Sequence, residues 1–275
     1  MKDMKLTFIG GGNMAASLIG GLVADHFDPK HIYVSDKSES QREDLAVRYS
    51  VATSEDNLAV AEGSNVVVLA VKPQQLRAVA EELAPVVQQG HPLVVSIAAG
   101  VRSSDIEQWL GGNIAVVRTM PNTPALVQSG ATALYANTQV TDSQRGMAES
   151  ILRAVGMTLW VDDESLLDAV TALSGSGPAY FFRIMEAMED AGIDLGLSRE
   201  AAHLLTLQTA LGAAKMALES DESIATLRER VTSPGGTTEQ GLQVLIENNI
   251  DRLFSDVLKA ARDRSVELAK IFSES

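Results

Sequence analysis

Over residues 1–162 short apolar runs alternate with stretches of helical period. The runs are Leu6-Thr-Phe-Ile9, His31-Ile-Tyr-Val-Ser35, Asn65-Val-Val-Val-Leu-Ala-Val71, Pro92-Leu-Val-Val-Ser-Ile-Ala98 and Ile114-Ala-Val-Val-Arg-Thr119. Several are apolar at nearly every position, as a parallel strand buried on both faces requires. Helical stretches between them predict βαβ units and a doubly wound, Rossmann-like sheet. Residues 131–135 and 157–161 read as closing strands around a helix near 143–155. After Asp162-Asp-Glu164 the strand pattern stops. The expected organisation is an α/β dinucleotide-binding domain over 1–162 and an all-helical domain over 163–275.

The second half carries helical period over 166–173, 178–191, 199–218 and 251–272. The last is amphipathic, with Ile250, Leu253, Phe254, Val257, Leu258 and Ala261 on one stripe. The stretch 199–218 differs: leucine, alanine and methionine cover nearly its whole circumference. A helix apolar all round must be buried on all sides, and a domain this small cannot do that alone. A second subunit is expected to cover part of it.

Turns between these elements hold the candidate chemistry. Gly10-Gly-Gly-Asn-Met-Ala15, between a strand and a helix, has the G-x-G-x-x-A spacing of a dinucleotide turn. Gly10 makes the tight turn, Gly12 admits a pyrophosphate to the backbone, and Ala15 permits close packing. Asp36, at the end of the second strand, stands where an acidic residue accepts hydrogen bonds from the adenosine ribose and suits NAD. A 2′-phosphate would meet a like charge there, with Lys37, Ser38 and Arg42 near enough in sequence to offset it. Lys72-Pro73 either brings a charge toward the cofactor or is a solvated helix start, and Ala98-Ala-Gly100 leaves room. Met120-Pro-Asn-Thr-Pro124 is either a rigid turn presenting Asn122 to a nicotinamide carboxamide or a Pro-stiffened loop. Ser174-Gly-Ser-Gly-Pro-Ala-Tyr180 either faces the cofactor or allows a close helix crossing.

Ser233-Pro-Gly-Gly-Thr-Thr238 runs into another helical pattern. Two glycines, two hydroxyls and the unpaired N–H groups of a helix start form a small pocket for a carboxylate. An ordinary capped helix start explains the Ser, the Pro and one Thr as well.

Composition narrows the chemistry. The 275 residues are 45% hydrophobic and 21% charged, ordinary globular material. A net charge of −14 argues against nucleic acid and leaves anion binding to local amides. Cysteine is absent, which removes disulfides, thiolates and zinc–sulfur sites. Met1-Lys-Asp-Met-Lys5 leads straight into a strand and no run approaches a membrane span, so a soluble, cytoplasmic protein is expected. His26, His31, His91 and His203 lie outside the glycine-rich turns, so neither a metal site nor histidine acid–base catalysis is expected. Hydride transfer to an already activated acceptor, such as a protonated C=N bond, fits this inventory. Hydroxy-acid dehydrogenases of similar plan place a lysine one helical turn after a Gly-x-Gly turn. Here Ser174-Gly-Ser-Gly177 is followed by Phe181 instead.

Together the motifs resemble the pyrroline-5-carboxylate reductase family over nearly the whole chain. The resemblance rests on residues 8–14, 70–73, 96–100, 120–124, 173–180 and 231–238. It implies reduction of 1-pyrroline-5-carboxylate to L-proline, the last step of proline synthesis, by an NAD(P)H-dependent homodimer or larger homo-oligomer. By position it assigns the substrate carboxylate to Ser233, Gly236, Thr237 and Thr238, with Thr238 also on the ring nitrogen as the catalytic group. It places Glu164 and Thr171 near the substrate. Its cofactor contacts fall on Ile9, Gly10, Gly11, Gly12, Asn13, Met14, Ser35, Asp36, Lys37, Asn57, Ala70, Val71, Lys72, Pro73, Ser96, Ala98, Met120 and Asn122. The family pattern implies NADPH; Asp36 departs from that pattern and keeps NADH open. Two other readings stand beside it: a related imine or hydroxy-acid dehydrogenase, and a non-catalytic dinucleotide sensor.

Overall fold

A computed structural model describes residues 4–274, so Met1, Lys2 and Asp3 of the N-terminal stretch lie outside the described residues. The chain divides into two compact units, Met1–Ser176 with Ala260–Ser275, and Gly177–Lys259. This division differs from a cut at residue 162, because the segment after the sheet and the C-terminal end pack with the sheet.

The first unit is built on eight strands: β1 (Leu6–Ile9), β2 (Ile32–Ser35), β3 (Ala52–Ser54), β4 (Val66–Leu69), β5 (Leu93–Ser96), β6 (Val116–Met120), β7 (Gly130–Ala136) and β8 (Gly156–Trp160). Between them lie helices α1 (Asn13–Ala24), α2 (Glu39–Tyr49), α3 (Asn57–Ala61), α4 (Pro73–Gly90), α5 (Ser103–Trp109) and α6 (Asp142–Arg153). After the sheet come α7 (Leu166–Val170) and a π-helical turn, Thr171–Gly175. Strand order is β3-β2-β1-β4-β5-β6-β7-β8. All neighbours are parallel except β6 and β7.

Three features depart from the sequence reading. β3 has only three residues and no apolar run, so period alone does not reveal it. β7 turns back antiparallel because the nine residues from Pro121 to Ser129 are too few for a helical crossover. The helical period over 166–173 is likewise broken, as α7 gives way to the π-helical turn.

Each face of the sheet has its own core. Leu6, Phe8, Leu18, Ile19, Val66, Val68 and Ile151 pack on one face, beneath α1 and α6. Val67, Leu69, Leu76, Leu83, Val94 and Ile106 pack on the other, beneath α4 and α5. Phe272, near the end of the last helix, joins this second cluster. Among the described residues no helix is long and apolar enough to cross a membrane.

The second unit holds α8 (Gly177–Asp194), α9 (Arg199–Glu219), α10 (Ile224–Arg230), α11 (Thr237–Glu247) and the start of α12 (Ile250–Glu274). α10 has seven residues, about two turns, too few for its period to stand out in the sequence. α8 packs on α9, with Glu189 reaching Arg199 and His203. Of the side chains described in this unit, only Ala202 and Thr206 are buried. Leu204, Leu205, Leu211, Met216 and Leu218 of α9 are all more than half exposed. The unit does not close a core by itself.

Candidate functional site

The turn after β1 is fixed by three strand ends. Gly10 has φ 99°, and its N–H donates to Ser35 O at 2.8 Å. A Cβ at Gly10 would stand 2.7 Å from Ala70 O, while Ala70 N–H donates to Ile9 O at 2.8 Å. Only glycine meets both demands. Gly12 is the N-cap of α1; no side chain caps the helix, and nothing lies within 4 Å of where its Cβ would be. Asn13 is exposed and Met14 half-buried. An open, uncapped tip of a twelve-residue helix suits a pyrophosphate, so the residues present fit a dinucleotide.

The end of β2 is laced to that turn. Asp36 Oδ2 accepts from Gly11 N–H and Oδ1 from Ser38 N–H, both at 2.8 Å. Gln41 Nε2 donates to Gly11 O at 2.6 Å, a contact that sequence spacing does not announce. Arg42 donates to Asp36 O and Lys37 O, and Lys37 Nζ to Glu55 O. Ser35 is buried, and its Oγ finds no partner.

Other expected cofactor residues gather at the carboxyl ends of β4, β5 and β6. Val71 is half-buried, Lys72 is the exposed N-cap of α4, and Pro73 opens that helix. Ser96 is buried; its Oγ accepts from Ala98 N–H and its carbonyl from Thr119 Oγ1. Asn57 and Asn122 are already committed. Asn57 Nδ2 donates to Glu82 at 3.0 Å. Asn122 Nδ2 donates to Ser174 O and Oγ, and its Oδ1 accepts from Ala131 N–H at 2.9 Å. The Asn122 amide thus ties the loop after β6 to the π-helical turn. A Cβ on Gly175 of that turn would collide with Met120 Cε.

Close by lies a charged layer of which sequence reasoning named only Glu164, and not its partners Arg118 and Ser103. Arg118 on β6 is 2% exposed and donates to Glu164 Oε1 at 3.1 Å. Burial lowers the Arg118 pKa, and Glu164 opposes that shift. Glu164 also accepts from Ser103 N–H at 2.7 Å and Ser103 Oγ at 3.0 Å, at the start of α5. Asp168 on α7 accepts from Arg102 at 3.0 Å and from Ser265 Oγ of α12 at 2.7 Å. A lone arginine inside an apolar strand was the available signal. Thr171 bonds back to Leu167 O at 2.7 Å, which helps the helix widen into its π-helical turn.

In the second unit, residues 233–236 form a tight turn ahead of α11. Gly236 N–H donates to Ser233 O at 2.9 Å, and Gly235 has φ 71°. Gly236 is the N-cap, with no side-chain cap. Ser233, Thr237 and Thr238 are exposed around this end. Glu239 reaches back to Gly235 N–H at 2.8 Å. Beside the turn, Leu242, Leu245, Ile246 and Ile250 line a cavity of about 450 Å³. Among the described residues no three histidine, aspartate or glutamate side chains gather to hold a metal ion.

A doubly wound sheet with an open glycine turn after its first strand defines the class, a dinucleotide-binding Rossmann-like protein. Residues 5–100 match the family model described as NADP oxidoreductase, coenzyme F420-dependent. Residues 164–268 match the model for pyrroline-5-carboxylate reductase dimerisation. A pyrroline-5-carboxylate reductase of Pseudomonas aeruginosa is 52% identical over 270 residues, covering 98% of each chain. A solved pyrroline-5-carboxylate reductase from Coxiella burnetii superposes with a TM-score of 0.94 at 49% identity, over 97% of this chain and 99% of that one. The Plasmodium falciparum enzyme, solved with NADP bound, gives a TM-score of 0.87 at 29% identity, over 98% and 99%. The chain belongs to the pyrroline-5-carboxylate reductase family.

Proposed function

We propose that the chain reduces the C=N bond of 1-pyrroline-5-carboxylate to give L-proline, the last step of proline synthesis, and that it works as a homodimer. The observation that carries the reading is the tip of α11, headed by Gly236 without a side-chain cap and flanked by exposed hydroxyls. Such a tip holds a carboxylate through backbone N–H groups and the positive end of the helix dipole. Ser233, Gly236, Thr237 and Thr238 bind the carboxylate of the imine. The Thr238 hydroxyl also bonds the ring nitrogen and passes it a proton from solvent.

Gly10, Gly11, Gly12, Asn13 and Met14 seat the pyrophosphate, and Ala70, Val71, Pro73, Ser96, Ala98 and Met120 accommodate the rest of the dinucleotide. When bound, the reduced nicotinamide supplies a hydride to C5 of the imine. Glu164 and Thr171, assigned to the substrate by position, hold backbone in place: Glu164 through Ser103, Thr171 through Leu167. NADPH or NADH can serve as reductant, and the end of β2 chooses between them. The second copy covers the apolar surface that α8, α9 and α11 leave open.

One assay tests this. Protein, the cyclic imine and each reduced nicotinamide are mixed, and the nicotinamide absorbance is followed. Imine-dependent oxidation is expected; its absence with both nucleotides overturns the reading and leaves a dinucleotide-binding sensor. Thr238→Ala should lower kcat about 10- to 1000-fold, if its bond tightens in the transition state. Wild-type turnover in that variant would remove Thr238 from the mechanism.

A further inference from the structure

We infer that Asp36 makes this chain select NADH over NADPH, a reading that rests on the dinucleotide seat proposed above. Asp36 stands at the end of β2, where an acidic side chain accepts from the adenosine ribose hydroxyls. A 2′-phosphate at the same place adds nearly two negative charges beside the carboxylate.

The carboxylate is not free to turn away. Oδ2 is held by Gly11 N–H and Oδ1 by Ser38 N–H, each at 2.8 Å, and these donors come from different turns. Swinging the side chain aside would strip two backbone donors of their acceptor. The backbone is pinned as well, because Asp36 N–H donates to Ser54 O at 3.1 Å. Gln41, donating to Gly11 O at 2.6 Å, locks α2 onto the same turn.

Both neighbouring cations are engaged by backbone carbonyls of the chain itself. Arg42 Nη1 donates to Asp36 O at 2.8 Å and Lys37 O at 3.2 Å, which turns its head toward the backbone. Lys37 Nζ donates to Glu55 O at 3.1 Å. The like charge that NADPH would meet is therefore left uncompensated. The carboxylate has a second duty, since it holds the Gly11 amide in the phosphate-binding turn. Selectivity and the shape of the seat share one side chain.

The test is a fluorescence titration of the intact protein with NADH and with NADPH, at fixed salt and without imine. The dissociation constant for NADH should lie about 10-fold or more below that for NADPH. Asp36→Ser should move this ratio toward NADPH by about 10- to 100-fold. Asp36→Asn keeps an oxygen for Gly11 N–H, so it shows the same trend if the serine variant loses the turn. Arg42→Ala should leave the ratio unchanged. Wild-type protein that binds NADPH as tightly as NADH, or neither nucleotide, overturns the inference. So does a ratio unmoved in both Asp36 variants, or an Arg42→Ala loss confined to NADPH. If NADH selectivity holds while no imine-dependent oxidation occurs, the reduction reading falls and this one stands.

Discussion

The sheet unit and the helical unit use similar apolar residues to opposite ends. In the sheet unit Val66, Val67, Val68 and Leu69 are each 0% exposed, and both faces are closed by helices of the same chain. In the helical unit Leu204 is 58% exposed, Leu211 62% and Leu218 84%. Apolar surface on that scale marks an interface. A parallel sheet gains its cover from its own crossovers, whereas a few helices cannot enclose one that is apolar all round. The centre of the sheet is closed within one copy, while Met157 and Leu159 on its edge strand β8 stay more than half exposed, and the helical unit leaves most of its apolar surface open.

The sharpest way to break this contrast is to charge the open surface. Leu211→Asp should raise the dissociation constant of the homodimer about a thousandfold or more, near 4 kcal/mol. Light scattering on the eluted protein reads it, and an intact dimer would show that this face is not the interface. The sheet unit, in contrast, should suffer only from internal damage. Glu164→Ala leaves Arg118 buried without its partner and should cost about 3 kcal/mol in urea unfolding. Asp168, which also acts on that guanidinium, keeps the loss from being larger. The double replacement Glu164→Ala with Arg118→Met should recover most of it, because the buried charge goes too. No recovery would mean that the pair does more than compensate burial.

The smallest effect is expected at the loop after β6. Asn122→Ala removes the acceptor for Ala131 N–H and the tie to Ser174, at about 1–2 kcal/mol. Faster hydrogen exchange at the Ala131 amide would locate the loss, at any protein concentration. Unchanged exchange there would show that the amide is held by something else.

Particular residues show how far the sequence could be read. Gly10, Gly12 and Ala15 announced their turn because strand, glycine spacing and helix coincide within a few residues. The helix start at Gly236, Thr237 and Thr238 was legible because glycines, hydroxyls and a helical period adjoin there. Arg118 was a visible anomaly, but its partner Glu164 is 46 residues away and nothing local links them. Asp168 and Ser265 are separated by 97 residues, so their bond exists only once α12 has come back onto the sheet unit. Asn122 could be placed in a rigid loop, yet not on Ser174 and Ala131.

The amino-acid sequence by itself determined the kind of elements, the glycine turn, the hydroxyl-flanked helix start and the need for a second copy. These follow from spacing, backbone freedom and apolar period, which act over a turn or a strand. Tertiary structure decided the rest: the reversed direction of β7, the burial of Arg118 on Glu164, and the pinning of Asp36 between Gly11 and Ser38. Those depend on which distant groups compete for the same donor, and that competition is settled only when the chain has packed.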